Sequence, residues 1–320
     1  MGFRRTMALL AALAASPLLV SAPAAGQLVL GQYEEEAPVR SWNSFFLSAA
    51  PALGRGETSL TFGLDAAAAM ANPALLADLP PFTLALNGYL QSAAFSKYGP
   101  VNTGVILTQG NASLTAAGLD ASGASARIGG WTFAVNVFAE EYYDRPGVAV
   151  DWTYNGVLYY EADYSQSGLL RTWQIAAARG IGRGLRVGAS LNHVRGKLER
   201  EFVDTSHFPT IVITDRKEQT FAGYSVSGGI LARVSENLQA ALVFRTPYRR
   251  EIRSRSRLEY EAPSGGTVIT IEDDADDAAE IPASIGLGLR LSLFSGFDAF
   301  AEATASFWSR YKVTFFGDSQ

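Results

Sequence analysis

Beyond Pro80, apolar residues recur at every second position, and this period of two limits the possible folds more than any other feature. In Leu185–Asn192, Leu185, Val187, Ala189 and Leu191 share one face, and Arg186, Gly188, Ser190 and Asn192 the other. Leu238, Ala240, Leu242 and Phe244 alternate in the same way, as do Ile285, Leu287, Leu289 and Leu291. From Phe297 to Phe307 the pattern continues, with Asp298, Glu302 and Thr304 on the polar face. Successive side chains of a strand point to opposite faces, so each segment reads as a strand with one apolar and one polar face. The chain is 48% hydrophobic, yet the part after its N-terminal stretch has no apolar run of the roughly 20 residues a transmembrane helix needs.

A soluble β-sandwich also alternates. Two details favour a transmembrane β-barrel. The alternating segments are longer than the usual strand of about 5–6 residues. Their polar face is rich in Gly and Ser with scattered charges, which suits a lumen, while the apolar face suits lipid. The expected strands are 82–95, 104–118, 126–142, 168–180, 184–203, 218–234, 237–258, 281–293 and 297–316, with a weaker hairpin at 148–165. Tight connections at Gly180–Gly184, Ser235–Asn237 and Leu293–Gly296 alternate with longer ones at 204–217 and 259–280. That is the arrangement of short periplasmic turns and long outer loops in an outer-membrane barrel.

The N-terminus has a different character. Arg4 and Arg5 precede the apolar stretch Met7–Val20 and the small residues Ala24-Ala25-Gly26, a signal peptide pattern over 1–26. The expected destination is the outer membrane of a Gram-negative-type bacterium. Residues 27–81 do not alternate. They hold Gly54, Gly56 and Gly63 and the stretch DAAAAMANPALLA (65–77), whose Ala run reads as a short helix ending near Asn72, before Pro73. A segment of this length ahead of the first strand is expected to plug the barrel interior.

These residues resemble a known family. Gly54-x-Gly56, the Ala-rich stretch and Asn72-Pro73-Ala74 are similar to the N-terminal plug of FadL-type outer-membrane transporters of fatty acids and other hydrophobic compounds. Arg245-Thr246-Pro247, Ile281-Pro282-Ala283-Ser284 and Phe307-Trp308-Ser309-Arg310-Tyr311-Lys312 resemble further motifs of that family, in its order. A PorV-like branch, which binds exported cargo proteins in a secretion system, carries a similar plug. The resemblance implies an all-β, antiparallel barrel over 82–320 behind a plug at 27–81, passive uptake of a hydrophobic small molecule, and plug movement around Asn72, Pro73 and Ala74. FadL-type barrels have 14 strands, and bacterial barrels are even-numbered. The nine strands here therefore carry the expectation that the last strands are missing from the chain.

Other chemistries find little support. The absence of cysteine excludes thiolate metal sites and a cysteine nucleophile. His193 and His207 are the only histidines, which argues against a metal centre and against an enzyme; neither metal nor cofactor is expected. A net charge of −5 lacks the basic excess of a nucleic-acid binder. Gly180-Ile-Gly-Arg-Gly184 joins two strands and reads as a hairpin turn, not a phosphate loop. The acidic run Glu272–Glu280 lacks Ca²⁺-ligand spacing and reads as a solvated outer loop. Trp131, Trp173 and Trp308 are candidates for interfacial girdles where the wall meets membrane lipid and lipopolysaccharide. On the lumen parity, Arg186, Arg233, Arg245 and Arg290 are candidate contacts for an amphipathic ligand, or partners for acids of the wall and plug.

Overall fold

The computed structural model describes residues 58–319 apart from 103–105, 209, 263–265, 295–296, 311 and 316–317. The expected signal peptide and residues 27–57 of the expected plug lie outside the described residues. The strands are β1 (Phe82–Asn102), β2 (Ile106–Ile128), β3 (Trp131–Tyr142), β4 (Arg145–Tyr154), β5 (Val157–Ile181), β6 (Leu185–His207) and β7 (Thr210–Arg233). They continue as β8 (Leu238–Arg245), β9 (Tyr248–Ala262), β10 (Gly266–Ile281), β11 (Ser284–Phe294), β12 (Phe297–Ser306), β13 (Lys312–Phe315) and β14 (Asp318–Ser319). All belong to one 14-stranded sheet, and every pairing is antiparallel.

Several strands are halves of one longer stave. β3 and β4 lie end to end between β2 and β5, interrupted at Tyr143-Asp144. β8 and β9 both pair with β7 and are separated by Thr246-Pro247. β10 and β11 are interrupted at Pro282-Ala283, and β12 and β13 at 307–311. Counted as staves, the described strands form an up-and-down meander of nine, with the two-residue β14 paired beyond β13. The last three interruptions are neighbours: Arg245 is opposite Ser284, Ser284 is opposite Ser306, and Ile281 is opposite Tyr248. Pro247 and Pro282 have no N–H to give the ladder, so the breaks fall where the backbone cannot complete it. Among the described residues β1 pairs with β2 alone and β12 with β11 alone.

Two expected loops are strand. Residues 204–207 and 210–217 complete β6 and β7, with a turn at Phe208 between them. The acidic run lies in β10, where Glu272, Asp274 and Asp276 stand opposite Arg257, Arg255 and Arg253. The corresponding ion pairs measure 3.7, 3.2 and 3.7 Å. The weak hairpin at 148–165 is the outer end of two long staves, turning at Asn155-Gly156 with positive φ at both residues. The upper connections are therefore as short as the lower ones, because charged residues extend the ladder instead of leaving it.

Burial follows parity. On β3, Trp131, Phe133 and Val135 are exposed, and Thr132, Ala134, Asn136 and Phe138 are buried. On β7, Tyr224, Val226 and Ile230 face out, and Ser225, Ser227, Gly229 and Leu231 face in. The outward apolar band along β7 runs from Tyr224 to Val234, which matches the roughly 9–11 residues of a membrane-crossing strand. Trp131 and Trp173 are both exposed; along the ladder Trp173 is level with Tyr224, at the upper end of the band, and Trp131 with Ile230. Above the band the outward face changes to the Arg–Asp/Glu ladder of β9 and β10.

Candidate functional site: a plug seated in a glycine-lined lumen

The plug reaches the wall as two short 3-10 turns, Ala66–Met70 and Pro73–Asp78. Asp65 caps the first: its Oδ1 accepts from Ala67 N at 2.9 Å. Asn72 caps the second: its Oδ1 accepts from Ala74 N at 3.0 Å, and Pro73 takes the first position, where no N–H is needed. The expected helix through the Ala run is thus a 3-10 turn that ends as anticipated before Asn72, and a second turn begins at Pro73. The Asn72 Nδ2 donates to Leu60 O at 2.8 Å, tying the turn to the segment that precedes Asp65. Asn72→Ala removes a cap worth about 1 kcal/mol. It also strands the buried Leu60 carbonyl, at about 1–3 kcal/mol more. Faster protease cutting within 58–81, with the strands intact, is the expected readout.

Small residues let plug and wall backbones meet. A Cβ on Gly188 would lie 2.5 Å from Pro73 C and 2.6 Å from Ala74 N. One on Gly229 would lie 2.0 Å from Asn72 Oδ1, and one on Gly288 2.9 Å from the Leu60 Cβ. Apolar contacts extend the seat on either side. Ala66, Ala67 and Met70 cluster with Ala85, Ala121 and Phe138. Ala69, Leu76 and Leu79 cluster with Ala134, Ala176 and Ala178. Leu60 and Leu75 cluster with Leu231, Ala241 and Val243.

A belt of inward polar side chains fastens the same seat. Gln174 Nε2 donates to Ala69 O of the plug at 3.2 Å and to Asn192 Oδ1 at 3.0 Å, and its Oε1 accepts from Asn136 Nδ2 at 2.9 Å. Asn192 Nδ2 continues the belt to Ser227 Oγ at 3.0 Å. Sequence reasoning passed over these residues, although Asn136, Gln174 and Asn192 all fall on the lumen parity, which was the available signal. The Glu302 carboxylate accepts from Ser59 N at 3.0 Å and Leu60 N at 2.7 Å.

The four candidate arginines do not converge. Arg186 pairs with Asp78 of the plug at 2.7 Å. Arg290 pairs with Asp298 at 2.7 Å, and its guanidinium lies 4.7 Å from the ring centre of Phe62. Arg245 is half-buried at the wall interruption, opposite Ser227 and Ser284. Arg233 is exposed at the lower turns. His193 faces outward and stacks on Tyr224 at 4.4 Å, and His207 Nε2 is 3.0 Å from Glu161 Oε2.

Above the plug the inward side chains Leu170, Val194, Phe221 and Ile252 are all buried. Tyr143 joins them from the interruption between β3 and β4. Its N donates to Gly168 O at 2.9 Å, its ring packs 5.5 Å from Phe221, and Asp144 Oδ1 accepts from Gly168 N at 3.0 Å. Gly168 has φ +143, a conformation that side chains disfavour. The interruption therefore turns a bulky ring inward. Arg250, missed by the sequence reading, is buried beside it. Its Nη2 donates to Tyr248 Oη at 2.7 Å and lies 3.5 Å from Glu140 Oε1. On the outward side of the same place is a cavity of about 990 Å³, reached by Asp144, Gly168, Leu169, Trp173 and His193.

Fold and site together define a class: an antiparallel wall with an apolar outer face and a largely polar inner face, against which the short turns Ala66–Met70 and Pro73–Asp78 are buried. No family model and no curated protein matches the chain. Among solved structures it shares the fold of the P. putida toluene transporter TodX, with 15% identity over 81% of this chain and 74% of that one and a TM-score of 0.54. It also matches the TodX deltaS2S3 mutant, a monoaromatic hydrocarbon channel, with 16% identity, 81% and 70% coverage and a TM-score of 0.55. For the Ralstonia pickettii toluene transporter TbuX the identity is 17%, the coverage 81% and 72%, and the TM-score 0.52. The resemblance to FadL-type transporters thereby holds at the level of the fold.

Proposed function

We propose that the protein is an outer-membrane transporter of neutral hydrophobic small molecules. The observation that carries this reading is the interrupted stave at Tyr143-Asp144, lying above a seated plug in a wall with a lipid-type outer face. The plug blocks the straight path, and the interruption offers a way through the wall. A molecule that sheds water on entry gains about 25 cal/mol for each Å² of apolar surface it buries, so a lumen lined by Phe138, Leu170, Phe221 and Ile252 favours hydrocarbons. The interior cations argue for a neutral solute over a fatty acid. Arg186, Arg250 and Arg290 are already engaged with Asp78, Glu140 and Asp298, so a carboxylate would have to break an existing pair. Arg186 and Arg290 then serve to hold the plug, and Asn72-Pro73-Ala74 is the part that moves.

The test is uptake of labelled toluene and labelled hexadecanoate by cells that lack other such transporters. Expression of the protein should raise toluene uptake severalfold and hexadecanoate uptake less. Unchanged uptake of every hydrophobic solute, with exported protein co-purifying instead, would establish the PorV-like reading in its place. The chain has no cysteine, so a staple can be placed without interference. Tyr142 and Leu169 are directly opposite on β3 and β5, beside the interruption. The double variant Tyr142→Cys/Leu169→Cys should transport when reduced and lose most toluene uptake when oxidised. Equal rates in both states would remove the lateral route.

A further inference from the structure

On the outward faces of β5 and β6, Arg171 and Arg195 stand directly opposite one another. Like charges in this position repel, and a folded sheet normally places an acid beside them. Both are exposed, and among the described residues neither has an acidic group within 4.0 Å. The charges around them are committed elsewhere. Lys197 pairs with Glu199 and, at 2.9 Å, with Glu218. Arg253 is 3.7 Å from Asp276, and Asp144 is held by the Gly168 N–H. Glu251 shares the row but is separated from Arg195 by the Ala222 position.

The rows on either side place this pair. Immediately below are Trp173, His193 and Tyr224, in register across β5, β6 and β7. Below those are Ile175, Leu191 and Val226, all exposed and apolar. Cation, aromatic and aliphatic rows in that order reproduce the profile of a membrane from headgroup to hydrocarbon. The outward cavity of about 990 Å³ opens at this level, with both arginines and Trp173 in its lining.

We propose that this cavity binds the phosphorylated headgroup of a membrane lipid, with the Arg171 and Arg195 guanidinium groups taking a phosphate monoester and Trp173 covering the adjoining sugar or glycerol. Planar guanidinium groups offer paired N–H donors that match phosphate oxygens, and the anion cancels the repulsion between them. The inference rests on the lipid-facing reading of the wall given above. A phosphate in free solution has the same chemistry; the aromatic row and the apolar band beneath it commit the site to a lipid.

The experiment uses the full chain in phosphatidylcholine nanodiscs carrying a trace of bis-phosphorylated lipid A or of its dephosphorylated form, with bound lipid counted by native mass spectrometry. Enrichment of the phosphorylated form only is expected. Arg171→Gln/Arg195→Gln should weaken it by about tenfold or more, the scale of losing charge-assisted hydrogen bonds. Arg171→Lys/Arg195→Lys keeps the charge without the fork and should fall between; it also covers the case in which the Gln variant fails to fold. Equal enrichment by the Gln variant and the wild type overturns the proposal, as does displacement of the lipid by equimolar inorganic phosphate. If the wild type inserts but enriches neither lipid, this inference alone fails. If its apolar band stays open to protease and it does not insert, the lipid-facing reading fails with it.

Discussion

Gly188→Ala will unseat the plug. The added methyl group would meet Pro73 C, Pro73 O and Ala74 N at 2.5–2.6 Å, and all three are backbone atoms that no rotamer change can move aside. The plug has to retreat by close to an ångström, away from the Asn72 cap and the Gln174 bond to Ala69 O. Overpacking of this kind costs about 1–3 kcal/mol. The effect on function should exceed the effect on folding, because the strands keep their ladder while the seal is lost. Cells carrying the variant should admit a polar dye or a hydrophilic antibiotic that wild-type cells exclude. Gly229→Ala should act alike, since its methyl group would lie 2.0 Å from Asn72 Oδ1. Gly228→Ala is the control: it adjoins Gly229 in sequence, but its methyl group would meet nothing within 4 Å. If Gly188→Ala and Gly228→Ala are equally tight, the plug is not seated on these glycines.

Arg250→Met will destabilise the wall by about 1–3 kcal/mol, because it takes a buried cation from the Tyr248 hydroxyl and from the half-buried Glu140. Arg250 is among the most enclosed charges of the lumen, held by the Tyr248 hydroxyl and Glu140. Among the described residues Glu140 then keeps Thr172, whose Oγ1 donates at 2.7 Å, and a half-buried acid has lost its cation. The double variant Arg250→Met/Glu140→Gln should recover most of the loss, because the stranded charge is gone. Urea unfolding of the detergent-folded protein measures both, and the two substitutions should be strongly non-additive. A loss below about 1 kcal/mol for Arg250→Met would mean that water reaches this layer and screens the pair.

The sequence made the faces of the wall legible and left its ends unreadable. Alternation assigned the apolar positions outward and the polar positions inward, and the stave count follows from that pattern. What it mistook were residues whose alternation is one of charge. Arg253-x-Arg255-x-Arg257 and Glu272-x-Asp274-x-Asp276 repeat with the same period of two, in opposite sign, on either side of the sequence Pro263-Ser264-Gly265-Gly266. That is a hairpin signal, but hydrophobicity does not register it. The seat of the plug was only half legible. Asn72-Pro73-Ala74 was visible as a motif, whereas its partners Gly188 and Gly229 are ordinary strand glycines until a second backbone is known to press on them. The lumen arginines were readable by parity, as was Asp298, eight residues from Arg290; Asp78 and Phe62 were not, because they lie more than a hundred residues from Arg186 and Arg290 along the chain.

The three family-like motifs beyond the plug are separated in sequence and adjacent in space. Arg245-Thr246-Pro247, Ile281-Pro282-Ala283-Ser284 and the stretch from Phe307 to Lys312 are the three neighbouring interruptions of the last staves. β5, β6 and β7 cross the same level with their ladders unbroken. The wall therefore has a stiff side and a creased side. Along the crease few backbone hydrogen bonds carry strain from the lipid-level tier of β8, β11 and β12 to the charged tier of β9, β10 and β13. The lower tier is in addition tied to the segment ahead of Asp65, because Glu302 accepts from Ser59 N and Leu60 N.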